Sequence, residues 1–363
     1  LIVVPTREGT GNEAEELRHT VADSVYRHDF VVLDRQHLAS IIAQSSAQRL
    51  IEIILEQGVE LSSLSPYVTK GPVPENMFFG REREIKAISQ TIQRSNYALV
   101  GGRQIGKSSI LLKLVRLLDQ DSRYRAIYIN CEDKFDYEDL FQSLPEECEA
   151  STESSEPLAF RQIVHSLQSS SDTTRLVFLL DEIDELLTFD VRTENRMQLF
   201  KVFRSLSHED ACRFVFSGGR TLYRHLHDSQ SPFFNFSQEL ALGPLTGKSV
   251  PEIVSKPMHQ LGIELPEEDL LIERLIELSS CHPNLVQWLC NRLVGAAHTR
   301  RIMLEDLELL AATPDFKEYM VELVWGAANP LEKAISLVMP GPAFTADELF
   351  DALRSRGFDD RSQ

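Results

Sequence analysis

The chain has 363 residues, 42% hydrophobic and 25% charged, with a net charge of −18 from 55 acidic against 37 basic residues. At roughly 100–200 residues per domain, two or three globular domains are expected. The acidic balance does not favour a whole-surface nucleic-acid or membrane binder, which would be basic, and leaves room only for a local basic patch.

No apolar run reaches the ~18 residues of a membrane span, and no signal peptide is evident. The five cysteines, Cys131, Cys148, Cys212, Cys281 and Cys290, lack zinc-ligand or redox-pair spacing. Cys131 and Cys212 adjoin apolar runs and are read as buried thiols in a cytoplasmic chain. Leu1 falls inside an apparent strand with no initiator Met, and the chain stops just after a helix at Gly357-Phe358-Asp359, so a fragment of a longer protein is expected.

Residues 1–60 alternate strand and helix: strands at Leu1–Pro5 and Phe30–Leu33, a helix at Glu13–Tyr26, Asp34 as an N-cap, and helices at His37–Ala43 and Arg49–Gln57. They are read as the end of an N-terminal α/β domain. Residues 61–76, rich in Pro, Ser and Gly, have linker composition. Residues 77–245 carry strands at Tyr97–Val100, Ala126–Asn130, Leu176–Leu180, Phe214–Ser217 and Glu239–Leu242, separated by helical segments. That alternation predicts an α/β fold with a parallel sheet covered by helices. The acidic, serine-rich stretch Glu132–Pro157 is read as an insertion. Residues 246–312 are expected to be helical, with helices at Val250–Leu261, Glu268–Ser279 and Asn284–Ala297. Residues 313–363 are also mainly helical, and Phe344–Leu349 opens with a capping pattern like the start of a winged-helix unit.

The central motif is Gly101-Gly102-Arg103-Gln104-Ile105-Gly106-Lys107-Ser108, which satisfies G-x-x-x-x-G-K-[ST] directly after an apolar strand and directly before the helix beginning at Ser109. Glycines let backbone N–H groups converge on phosphate oxygens without Cβ clashes, and the helix N-terminus adds partial positive charge. Lys107 would reach the β- and γ-phosphates, and the Ser108 hydroxyl would serve Mg²⁺. Five apolar residues, Leu176–Leu180, are followed by Asp181-Glu182 and resemble a Walker B segment. A carboxylate at the C-terminal end of a buried strand faces the ligand crevice. Asp181 would hold Mg²⁺ through water, and Glu182 would polarise the attacking water. Acidic residues before an apolar helix also act as N-caps, and Asp184 and Glu185 are read that way.

With these motifs in place, residues 77–363 resemble the STAND class of signal-transduction ATPases, relatives of AAA+ proteins. Phe78-Phe79-Gly80-Arg81-Glu82 resembles the box that opens these modules and implies that Phe79, Gly80 and Arg81 fold over the adenine side of the nucleotide; a capped, charged helix start reads the same residues otherwise. Ser217-Gly218-Gly219-Arg220 resembles the sensor 1 position, which implies that Arg220 contacts the γ-phosphate; a surface arginine after a turn is the alternative. Cys281-His282-Pro283 resembles the lid motif whose proline packs near the base, although Cys281 replaces the usual leading glycine. Arg204 and Arg213 lie where AAA+ relatives keep an arginine finger, and neither is a clear match. The N-terminal segment resembles the end of a restriction-endonuclease-like domain, with sirtuin-like or receiver-like remnants fitting almost as well.

The resemblance implies an ATP/ADP- and Mg²⁺-dependent switch in which Arg103, Gln104, Ile105, Gly106 and Ser109 join Gly102, Lys107 and Ser108 around the phosphates. It further implies homo-oligomerisation on activation, a protein trigger, contact with nucleic acid through the N-terminal domain, and a role in bacterial antiphage defence. An AAA+ ATPase acting on DNA as a replication or transposition loader, and a scaffold that retains nucleotide without turning it over, are the other readings.

Overall fold

The structure is a computed structural model that describes residues 2–5, 30–33, 35–44, 47–57, 59–142, 144, 156–169, 174–192, 197–297, 299–326, 328–339 and 345–357. The helix expected at Glu13–Tyr26, the cap expected at Asp34, and residues 143 and 145–155 of the acidic insertion, Cys148 among them, lie outside the described residues. The chain divides into two compact units, Leu1–Glu308 and Leu309–Gln363.

The first unit opens with β1 (Ile2–Pro5) and β2 (Phe30–Leu33), paired in parallel, then α1 (Arg35–Gln44) and α2 (Ala47–Glu56). Val31, Leu33, Ile53, Ile54 and Val59 form their core. The apolar stripe of α2 sits at helical spacing and supplies Ile53 and Ile54 to that cluster.

The larger core follows as α3 (Glu82–Thr91), β3 (Asn96–Gly101), α4 (Lys107–Asp119), β4 (Tyr124–Asn130), α5 (Tyr137–Gln142), α6 (Ala159–Ser169), β5 (Arg175–Asp181), α7 (Asp184–Arg192), α8 (Gln198–His208), β6 (Cys212–Gly218), α9 (Arg220–His227) and β7 (Ser237–Leu242). The five strands β3–β7 form one parallel sheet in the order β4-β5-β6-β3-β7. Both faces are apolar, as a covered parallel sheet requires. Along β5, Leu176, Phe178 and Leu180 enter a phenylalanine-rich cluster, while Val177 and Leu179 enter the cluster formed with α3 and α4. In the first cluster Phe160, Phe178, Phe203, Phe214 and Phe216 pack with ring centroids 4.7–6.5 Å apart. The loop after β3 opens at the C-terminal edge of the sheet, between β6 and β7.

Three helices, α10 (Val250–Gln260), α11 (Glu268–Ser279) and α12 (Pro283–Ala296), pack on one another in the same unit, in the segment whose sequence resembles a lid. Pro283 occupies the first turn of α12, where its missing N–H costs nothing. Residues 65–73, in the stretch with linker composition, run along this lid. Tyr67 donates to the carbonyls of Ile253 and Val254, and the Val68 amide donates to Gln287. Asn284 donates to the Thr69 carbonyl, and the Val73 amide donates to Ser109 Oγ on α4.

The helix α13 (Leu304–Ala312) spans the division between the units. In the second unit come α14 (Pro314–Met320), a π-helical turn at Val321–Trp325, α15 (Pro330–Val338) and α16 (Ala346–Ser355). Asn329 with Glu332 and Thr345 with Glu348 form full capping boxes, so the pattern read at Thr345 is a helix start. Among its described residues this unit contains no strand.

Candidate functional site

The glycine loop spans the gap between β3 and α4. Gly106 has φ +100°, a left-handed conformation that a side chain would strain, and it lets the chain turn straight into α4. A Cβ at Gly101 would meet the Leu242 carbonyl at 2.7 Å, so the loop can leave the sheet against β7 only with glycine there. The loop, the end of β5, residues 68–73 and the lid enclose a cavity of about 420 Å³, within the ~300–1,000 Å³ of small-molecule sites.

Of the residues singled out in the sequence, Phe79, Arg81, Arg103, Gln104, Ile105, Gly106, Lys107, Ser108, Ser109, Asp181, Glu182 and Pro283 line this cavity. Lys107 is 5% exposed. Its Nζ lies 3.3 Å from Glu182 Oε1 and donates to the carbonyls of Gly101 at 3.4 Å and Gly102 at 3.2 Å. Glu182 adopts φ +49° and turns its side chain across the β5 end towards that amine. Burial raises its carboxyl above the ordinary glutamate value, Lys107 opposes that shift, and Asp181 adds to it.

Asp181 is 2% exposed. Its Oδ1 accepts from the Ser217 hydroxyl on β6 and from the Glu182 amide at 3.1 Å, and its Oδ2 accepts from Tyr128 on β4 at 2.9 Å. Among the described residues no lysine or arginine pairs with Asp181. A buried carboxylate without a cation is costly, and the Ser108 hydroxyl lines the same cavity. The donor set of Asp181 and Ser108 therefore fits a hard divalent cation such as Mg²⁺.

Gly80, Gly102 and Arg220 do not line the cavity. Gly80 has φ +76°, and a Cβ there would meet Ser249 Oγ at 2.5 Å, so it seats the opening box against the start of α10. The Gly102 carbonyl is instead an acceptor for Lys107. Arg220 is exposed in the first turn of α9. Arg81 is 6% exposed and donates to the carbonyls of Ile105 at 3.1 Å and Gly243 at 2.6 Å and to Glu84 at 3.1 Å. It thus ties the phosphate loop to the chain leaving β7. Arg204 donates to the carbonyls of Pro232 and Phe234, and Arg213 is buried against Asp210 and the Ser207 carbonyl at the start of β6, the opposite sheet edge from the cavity.

Asp184 does not cap its own helix. Its carboxylate accepts from the amides of Gly219 at 2.5 Å, Thr221 at 2.8 Å and Leu222 at 3.3 Å, capping α9 from across the sheet edge. Next to it, a Cβ at Gly218 would meet Asp184 Oδ2 at 2.5 Å. Tyr128 and Asn130 from β4, Glu132 just beyond its end, Ile253, Asn284 and Gln287 from the lid, and Val68, Pro72 and Val73 also line the wall. Sequence reading gives none of these a role. Only the alternation of Tyr128 and Asn130 along β4, on the face that packs on α4, marks two of them. Cys131, Cys212 and Cys290 are buried free thiols, and burial pushes Cys131 and Cys290 up to about 12.

Strand, glycine loop and helix, with an acidic pair at the end of β5, separated from β3 by β6 in the same parallel sheet, define a P-loop NTPase fold. The chain belongs to the Novel STAND NTPase 1 family, whose model matches residues 67–305. In fold it is similar to the Aeropyrum pernix ORC1 protein in complex with DNA, at 17% identity and a TM-score of 0.50 over 82% of this chain and 81% of that one. The Aeropyrum pernix ORC2 protein (ADPNP–ADP complexes) gives 12% identity and a TM-score of 0.49, covering 76% and 84%. Drosophila ORC bound to DNA gives 14% identity and a TM-score of 0.46, covering 96% and 86%. No curated protein matches the sequence. Among the described residues, no helix is long and apolar enough to cross a membrane.

Proposed function

We propose that this chain is an ATP-operated switch that binds ATP with Mg²⁺, hydrolyses it, and passes its nucleotide state to an attached effector through assembly. The observation that carries the reading is one cavity lined together by the phosphate loop, the Asp181-Glu182 pair, the lid residues Pro283, Asn284 and Gln287, and residues 68–73. Lys107 exchanges Glu182 and the loop carbonyls for phosphate oxygens, and the loop amides and the α4 N-terminus hold the rest of the triphosphate. Ser108 and Asp181 would hold Mg²⁺, which would supply charge neutralisation at the phosphates. Glu182, freed from Lys107 and made more basic by burial, orients and polarises the attacking water.

A nucleotide shifts a conformational equilibrium only if it binds the two states differently. Here the lid and residues 68–73 supply that difference, because both the core and the lid contribute walls to the cavity. The segment 65–73 continues into the N-terminal domain, so lid movement is transmitted there. STAND family membership supports the switch, with homo-oligomerisation on activation, a protein trigger and a role in antiphage defence as its finer content. Light scattering of the purified protein with ATP, ADP and a non-hydrolysable analogue tests it. Assembly in ATP or the analogue and not in ADP is expected; one mass in all three sinks the switch.

A second reading, an ATPase acting on DNA, draws on the fold likeness to the ORC1 protein in complex with DNA. The net charge of −18 weighs against it. DNA-stimulated turnover that falls with salt would favour it over the switch.

A further inference from the structure

We propose that Tyr128 is a positioning residue for the metal-binding carboxylate: its phenol fixes the orientation of Asp181 so that one lone pair is presented to Mg²⁺ and its water. The inference rests on the Mg²⁺–ATP reading of the same cavity. An ionised carboxylate has about four acceptor positions, two on each oxygen. At Asp181, Oδ1 takes the Ser217 hydroxyl and the Glu182 amide, which fill both of its positions. Oδ2 takes Tyr128 at 2.9 Å, which leaves one position. Tyr128 and Ser217 come from the strands on either side of β5, so the carboxylate is gripped from both neighbours.

Tyr128 reaches Oδ2 because it packs on the α4 side of the sheet, where the N-terminus of α4 carries Lys107 and Ser108, and it lines the cavity with them. An ionised carboxylate oxygen can only accept, so the phenol 2.9 Å from Oδ2 is the donor. Without that donor Oδ2 has two open positions, and the carboxylate can rotate about the anchor that Ser217 and the Glu182 amide provide. Partners that orient a metal ligand typically change metal affinity ~10–100-fold when removed.

Tyr128→Phe keeps the ring and its packing against α4. The affinity of wild type, Tyr128→Phe and Ser217→Ala for a fluorescent non-hydrolysable ATP analogue is measured in EDTA and across a Mg²⁺ titration. The expected result is unchanged affinity in EDTA, with the Mg²⁺ concentration at half-effect raised about tenfold in Tyr128→Phe and likewise raised in Ser217→Ala. A wild-type Mg²⁺ titration reproduced by Tyr128→Phe overturns the positioning role and leaves the Mg²⁺ reading standing. A loss already complete in EDTA makes Tyr128 a wall of the nucleotide site and also overturns it. Wild-type affinity indifferent to Mg²⁺ overturns the metal reading and the role of Tyr128 together.

Discussion

Replacing Arg81 by Lys separates a brace from a nucleotide contact. The guanidinium is buried and bonds to two main-chain carbonyls, Ile105 in the phosphate loop and Gly243 beyond β7, and to Glu84. Both carbonyls are held by Nη2 and Glu84 by Nη1, and the ammonium of the shorter lysine side chain does not reach the Nη2 position. Hydrogen bonds to charged groups contribute about 1.5–3 kcal/mol each. Two of the three would be lost, and Glu84, partly exposed, is relieved by water. A destabilisation of about 3 kcal/mol follows, before any nucleotide is added. At ~2–4 °C per kcal/mol for a domain of this size, the melting midpoint should fall by roughly 6–12 °C. Differential scanning calorimetry in EDTA without nucleotide reads this directly. If Arg81→Lys melts like wild type yet has lost ATP affinity, Arg81 acts on the nucleotide and the brace is refuted.

Asp184→Ala removes the carboxylate that caps α9 and should cost about 1–2 kcal/mol by urea unfolding, with Asp184→Asn retaining part of the loss; equal stability of all three proteins would show that the Gly219, Thr221 and Leu222 amides find other partners. ATP turnover requires Glu182 ionised, and its raised pKa means that turnover falls, as pH drops, at a higher pH than an ordinary glutamate would give; a kcat profile flat down to pH ~5 contradicts this. His282, whose Nδ1 is buried without a partner, is held below the ordinary histidine value, first by burial and then by Arg81. Its folded state resists the proton, so its contribution is present above the ordinary value and stability is lost as pH falls through about 6.5 and below. His282→Gln should flatten the fall in melting midpoint between pH ~7.5 and ~5.5, and an unchanged slope would assign that fall to other groups.

The core sheet is legible in the sequence because its strands are short apolar runs bounded by polar residues. Leu176–Leu180 becomes Arg175–Asp181, and Phe214–Ser217 becomes Cys212–Gly218, each run lengthened by pairing with neighbours. The lid helix read at Glu268–Ser279 has those bounds in the structure, since its acidic first turn and apolar stripe both mark it. The phosphate loop is legible because glycine, lysine and serine each answer a separate demand of a triphosphate within eight residues. What is not legible is long-range and made by backbone or by single polar atoms. Residues 65–73 read as linker from composition, yet their hydrogen bonds reach the lid about 220 positions away at Gln287 and Asn284. Asp184 looks like the cap of its own helix, and only the sheet's strand order brings α9 to it. Arg81 matches a nucleotide-box motif by type and position, while its fork is spent on two carbonyls that no local pattern reveals.

ATP binding and hydrolysis in this cavity depend on Lys107 and Glu182 if the proposed function is right. Binding and turnover of Mg²⁺–ATP should be measured for wild type, Lys107→Ala and Glu182→Gln side by side. Wild type should bind and hydrolyse, Lys107→Ala should lose binding, and Glu182→Gln should bind while its turnover falls by ~10²–10⁴. Wild-type binding and turnover matched by both variants would contradict the proposed function, because the chemistry would then lie outside the cavity that Lys107 and Glu182 share.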